Sequence, residues 1–201
     1  MSTHHEQQSS TKAWHKRVDN TSYLISTDPK MLDHGFINAS FASPDMYWAK
    51  ELPLKDLALM LENSLTLGLY KYAGEPSSPR TPSPTLRDPD EKDIAGEDWE
   101  QIGLARFATD YVSFAFLSDV FINPNHRASG LGSWLIECCG EWMDGLPFLR
   151  RAMLMASGDV GKPYYAKAFG MADIAGEGSK HNLVCMTKTG PGSALGGDGK
   201  H

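Results

Sequence analysis

The sequence predicts a mixed α/β (α+β) domain in which one central sheet is covered by helices. Three observations carry this. Strand-like and helix-like runs are interleaved rather than segregated. A meander of three strand-like runs fills the middle of the chain, from Ser64 to Ile122. A strongly amphipathic helical segment, Gly130 to Asp144, follows the last of them.

The elements follow in order. Residues 1–20 are polar and read as a flexible arm. Tyr23 to Thr27 is strand-like, and Asp28-Pro29 supplies an N-cap with Pro at the first helical position. A helix through Met31, Leu32, Phe36 and Ile37 follows at helical spacing. Pro53 opens a second helix with Leu54, Leu57 and Leu61 on one side. Ser64 to Tyr72 alternates as a strand. Residues 74–99 are rich in Pro, Ser and charge and predict a long exposed insertion. Ile102 to Thr109 is the next strand, and Tyr111 to Ile122 is an apolar run suited to a buried central strand. In the following helix, Leu131, Trp134, Leu135, Cys138 and Trp142 share one face, with Glu137 and Glu141 opposite. Phe148 to Met155 predicts a strand, Pro163 to Phe169 a short helix and Leu183 to Lys188 a last strand. The Gly-rich residues 190–201 read as a disordered tail, which leaves one folded body over 21–189.

Composition excludes several classes. A chain of 201 residues, 41% hydrophobic and 22% charged, suits one domain with a full core. A net charge of −6 argues against nucleic acid, whose binders carry basic stripes. No apolar run approaches the roughly 20 residues that span a bilayer, and the N-terminus has no apolar signal core. A cytoplasmic or nuclear protein with no membrane partner is expected. The three cysteines lack zinc-ligand spacing and read as buried thiols; the seven histidines form no cluster, so no metal is expected.

The informative segment is Asp119-Val120-Phe121-Ile122-Asn123-Pro124-Asn125-His126-Arg127-Ala128-Ser129-Gly130-Leu131-Gly132-Ser133. A strand enters a polar turn and then a helix start. The first N–H groups of a helix have no internal partners, and the helix dipole is positive there. Glycines let an anion approach the backbone, and Arg127 adds a charge, so the segment predicts a phosphate-type site. No Lys-Ser/Thr follows the glycines, which excludes a Walker loop. Leu135 stands where a dinucleotide fingerprint needs its third glycine.

The spacing Arg-x-x-Gly-x-Gly, five residues after the strand-end Ile122, resembles the acetyl-CoA loop of the GNAT superfamily of N-acetyltransferases. Pro163-Tyr164-Tyr165-Ala166-Lys167-Ala168-Phe169-Gly170-Met171 looks like the family's second hallmark, a short helix ending in aromatic-x-Lys-x-x-Gly. The resemblance covers roughly residues 21–189. On the Trp48 region and Ser118-Asp119-Val120 it looks closest to the family's little-characterised small-amine branch. Two departures stand out: Ala128 replaces a common glycine but keeps its N–H, and the Tyr165-to-Gly spacing is one residue longer than usual.

The resemblance implies a mostly antiparallel mixed sheet with a splayed central strand, and direct attack of an amine on the thioester of acetyl-CoA. A lysine-type amine, with a pKa of about 10.4, arrives protonated and must lose a proton. Carried over residue by residue, the backbone of Val120, Phe121 and Ile122 would hold the acyl carbonyl, whose developing oxyanion needs N–H donors. The N–H groups of Arg127, Ala128, Ser129, Gly130, Leu131, Gly132 and Ser133 would hold the pyrophosphate. Tyr165, or next to it Tyr164, would protonate the leaving thiolate. Asp119 is the candidate base, with His126 and His181 as alternatives. Trp48 and Tyr47 would shape the acceptor pocket, and Arg106 reads as a solvated strand-end charge. The acceptor is expected to be a small-molecule or peptide amine, and a homodimer stays open. The rival expectation is a GNAT-like module that binds acyl-CoA without transferring anything.

Overall fold

The computed structural model describes residues 11–73, 98–156 and 159–174. Within them six strands lie side by side in chain order: β1 (Ala13–Val18), β2 (Thr21–Ser26), β3 (Leu65–Tyr72), β4 (Trp99–Thr109), β5 (Phe114–Ile122) and β6 (Arg151–Leu154). Neighbours from β1 to β5 are antiparallel, whereas β5 and β6 are parallel. The helices are α1 (His34–Phe41), α2 (Leu54–Glu62), α3 (Leu131–Asp144) and α4 (Gly161–Phe169). None of them is long and apolar enough to cross a membrane.

Two apolar clusters sandwich the sheet. One joins Leu67, Leu69, Phe107, Ala115 and Leu117 to Leu131, Leu135, Cys139 and Trp142 of α3, with Tyr165 and Phe169 of α4 packed on its edge. The other joins Leu104 and Phe121 to Ile37 and Phe41 of α1 and Leu57 and Leu61 of α2. Both clusters are as dry as a protein core normally is, and their side chains are almost fully removed from solvent.

Two irregularities in the sheet matter for the site. Arg106 pairs with Asp119 but Phe107 pairs with Leu117, so Ser118 is an extra residue in β5. Ala115 and Leu117 belong to the α3 cluster, whereas Phe121 belongs to the α1/α2 cluster. The bulge thus switches which side of the sheet the odd-numbered residues face, and it turns Asp119 toward α1 and α2. Further, β6 accompanies β5 only from Phe114 to Leu117. Residues 118–122 run on, paired to β4 on one side and to no described strand on the other.

Several expectations change. Residues 13–18, inside the stretch read as an arm, form the edge strand β1. Asp19 and Asn20 both have positive φ (46° and 65°), which is the two-residue turn that matches strand twist. The Trp14 indole donates to Glu141 Oε2 at 2.6 Å and ties β1 to α3. The single helix expected after Asp28 is two elements. Asp28 caps only the 3₁₀ turn Pro29–Met31, and Asp33 caps α1 by accepting from Phe36 N. Tyr111 precedes β5 rather than belonging to it, because Asp110 gathers the amides of Val112, Ser113 and Phe114 into a turn. Trp99 is already in β4, so the insertion ends before it. The expected last strand, the tail, His181 and Cys185 lie outside the described residues, as do residues 1–10 and 74–97.

Candidate active site

The turn after β5 holds its shape through its own side chains. Asn123 accepts from Asn125 N and starts the 3₁₀ turn Pro124–His126; Ser129 Oγ then donates to His126 O at 3.0 Å. Ala128 sits at φ 66°, a left-handed conformation that a Cβ disfavours. Gly130, at φ 75°, is the N-cap of α3 and provides no side-chain cap. A Cβ built there would meet nothing within 4 Å. The helix start is therefore open, with its first N–H groups available and positive dipole behind them. The segment 127–130 is exposed throughout. This geometry suits an anion.

Arg127 does not point into this opening. Its Nε donates to Ile122 O at 2.9 Å, and its Nη2 lies 2.6 Å from Asp45 Oδ2. Its guanidinium stands 5.7 Å from the centre of the Phe121 ring. The side chain thus straps the turn to the end of β5 and to the segment between α1 and α2, and the backbone is left to meet an anion.

Asp119 is buried, and both its oxygens are occupied. Oδ2 accepts from Arg106 Nε at 2.7 Å and lies 2.6 Å from Nη2; Oδ1 accepts from the Trp48 indole at 3.1 Å. Arg106 also donates to Ser118 Oγ at the bulge. Arg106 is hence no solvated strand-end charge: its side chain is 12% exposed, and its partner is 5% exposed. A sequence signal existed. An arginine inside Leu104-Ala105-Arg106-Phe107 needs a buried counter-charge, and Asp119 is the carboxylate of the next strand. Asp45, which had no expected role, makes the other ion pair of this region that sequence reasoning missed.

The segment carrying Tyr47 and Trp48 is fastened at both ends. Asn38 of α1 donates to Leu52 O and accepts from Leu52 N. Met46 is buried beneath it. Trp48 is half-buried and meets Tyr47 edge-on at 5.0 Å, while Tyr47 is 59% exposed. Phe36 lies 6.2 Å from Phe121 in the same region. Trp48, Asp119, Phe121 and the Arg127 strap thus gather beside the unpaired stretch of β5.

The two tyrosines of α4 are separated as adjacent helix residues should be. Tyr164 is exposed. Tyr165 is half-buried, stacks on Phe169 at 5.8 Å and packs on the α3 cluster. Burial, with smaller contributions from Tyr164 and Cys139, holds the Tyr165 phenol above the ordinary tyrosine pKa. His126 is partly buried in its turn, and its imidazole makes no hydrogen bond among the described residues. Cys138 and Cys139 are free buried thiols, and burial pushes Cys138 up to about 12. Among the described residues no group of three or more His, Cys, Asp or Glu could hold a metal ion.

The chain is similar to known proteins. The profile of the family described as "Acetyltransferase (GNAT) family" matches residues 61–171. A protein of Gibberella zeae named as a putative acetyltransferase is 36% identical over 172 residues, which is 85% of this chain and 91% of that one. A solved structure from Xanthomonas campestris pv. campestris, given the same name and assigned to the GNAT family, is 27% identical. It covers 85% of this chain and 94% of its own, with a TM-score of 0.57.

Proposed function

Because the chain belongs to the GNAT acetyltransferase family and is an acyltransferase, we propose that it moves the acetyl group of acetyl-CoA directly onto a primary amine. One observation carries this reading most strongly: the open start of α3, with Gly130 uncapped and unobstructed, lies at the end of the β5 stretch that β6 leaves unpaired. An anion site and a free strand edge are the two things that a thioester with a diphosphate tail requires.

In this reading the N–H groups from Ala128 to Ser133 hold the pyrophosphate, with Ala128 donating as a glycine would, whereas the Arg127 N–H already donates to Pro124 O at 3.3 Å. The backbone of Val120, Phe121 and Ile122 offers donors to the acyl carbonyl as negative charge gathers on it. The acceptor enters past Tyr47 and Trp48. Tyr165 hands its proton to the departing thiolate; burial favours the neutral phenol, the form a proton donor needs. Tyr164, exposed and 5.1 Å away ring to ring, is the alternative donor. Asp119, with both oxygens engaged, acts through Trp48 and Arg106 as a positioning residue, and the amine loses its proton to water at the open strand edge.

The test combines calorimetry with coenzyme A and a thiol-release assay with acetyl-CoA and an amine panel. The wild type should bind and turn over, while Gly130→Glu should lose binding by placing a carboxylate in the anion site. Unchanged binding by Gly130→Glu would sink the loop assignment. Full activity in both Tyr165→Phe and Tyr164→Phe would remove tyrosine from the chemistry.

A further inference from the structure

The acceptor side of the site has an unusual charge balance. Among the described residues, two carboxylates stand near the mouth, and each already faces an arginine: Asp119 with Arg106 at 2.6 Å, and Asp45 with Arg127 at 2.6 Å. The other acid in the segment 42–53 is Glu51, which is exposed and follows the exposed Lys50. Aromatic rings stand here instead. Phe36 meets Phe121 and Tyr47 meets Trp48, Trp48 packs on the apolar cluster that contains Phe121, and its indole is fixed by its bond to Asp119.

From this balance we infer that the acceptor is a monoamine on an aromatic or similarly flat apolar body, not a polyamine or the lysine of a peptide. This rests on the acetyl-transfer reading above. A polycation needs a spare carboxylate near each charge it brings, and among the described residues the carboxylates at this mouth are neutralised by the protein's own arginines. A monoamine makes a smaller demand. Its one charge is lost when the nitrogen becomes the nucleophile, and before that the face of Trp48 attracts it. Its ring then covers the exposed Tyr47 and the half-buried Trp48, whose apolar surface is otherwise wet.

Thiol release is measured with acetyl-CoA and four amines: 2-phenylethylamine, butylamine, spermidine and an N-acetylated lysine peptide. The kcat/KM for 2-phenylethylamine should exceed each of the others by about tenfold or more, the size expected for one well-packed aromatic contact. Trp48→Ala should erase the preference for 2-phenylethylamine over butylamine, mainly through KM, and Trp48→Phe should restore part of it. Equal or faster turnover of spermidine or the peptide overturns the inference. If no amine is acetylated, the acetyl-transfer reading fails, and calorimetry on the coenzyme A-loaded protein then decides the pocket separately. Heat from 2-phenylethylamine but not from spermidine supports the aromatic acceptor; heat from spermidine, with or without heat from 2-phenylethylamine, or from neither, overturns it.

Discussion

The guanidinium of Arg106 and the carboxylate of Asp119 lie 2.6 Å apart across the β4–β5 pair, opposite one another only because Ser118 bulges out of register. Both are largely removed from water, so removing one strands the other. Asp119→Ala should destabilise the fold by about 3–5 kcal/mol, whereas the double change Arg106→Met with Asp119→Leu should lose much less. Urea unfolding with a common slope measures both. A cost under about 1 kcal/mol for Asp119→Ala would mean that the pair is solvated.

Ala128 occupies a left-handed conformation for which it is poorly suited. Ala128→Gly should raise stability by about 0.5–1 kcal/mol, the relief of Cβ strain less the added freedom of the unfolded chain. It should leave coenzyme A affinity intact, since the N–H is kept. Gly130→Ala should do the reverse, and lose about 1 kcal/mol at φ 75°. Thermal unfolding of the three proteins side by side is sufficient.

Tyr165 should set an alkaline limit on the rate. Burial favours its neutral form, so its folded pKa lies above the ordinary value of 10.0. As the proposed donor it is protonated at neutral pH, and that form is lost only as pH climbs through the raised value. The stability gained from burying it neutral follows the same direction, being complete below the unfolded pKa and lost on the alkaline side. Tyr165→Phe should lower kcat by about 100-fold and abolish this alkaline limb in the pH–rate profile. A limb that survives the substitution belongs to another group.

Tyr70 is buried, and its hydroxyl has no hydrogen-bond partner among the described residues. It lies over Gly68, where any side chain would overlap it. Tyr70→Phe should therefore be neutral or stabilising by up to about 1 kcal/mol, because an unpaired polar atom leaves the core. Gly68→Ala should destabilise by about 1–3 kcal/mol through overpacking. A clear loss of stability in Tyr70→Phe would reveal a bound water on that hydroxyl.

Much of the fold is legible in the sequence where one face is strictly apolar. The helix α3 follows from the spacing of Leu131, Trp134, Leu135, Cys138 and Trp142, all of which are buried. The strand β1 is missed because Ala13-Trp14-His15-Lys16-Arg17-Val18 is half-wet on one face and exposed on the other, and resembles an arm. Its readable mark is Asp19-Asn20, residue types that tolerate left-handed turns. The turn proposed above as the anion site can be read from sequence because the chemistry asked of it is local and carried by the backbone. The side-chain part of the site is not. Trp48 and Asp119 stand 71 residues apart and Arg127 and Asp45 stand 82 apart. Such contacts depend on the register of a sheet and on one bulge, neither of which leaves a local pattern.

At the other end of the central hairpin, Ala73 N donates to Asp98 O at 2.6 Å, Tyr72 reaches Asp98, and the rings of Tyr72 and Trp99 meet at 5.3 Å. These contacts hold together the two points from which residues 74–97 depart and return. The entropy of closing that excursion is offset by the strands that it joins, and grows only with the logarithm of its length. A change in the length of the connection between Ala73 and Asp98 therefore costs the fold little. A protein engineer can use the same port to splice in a reporter or a second domain.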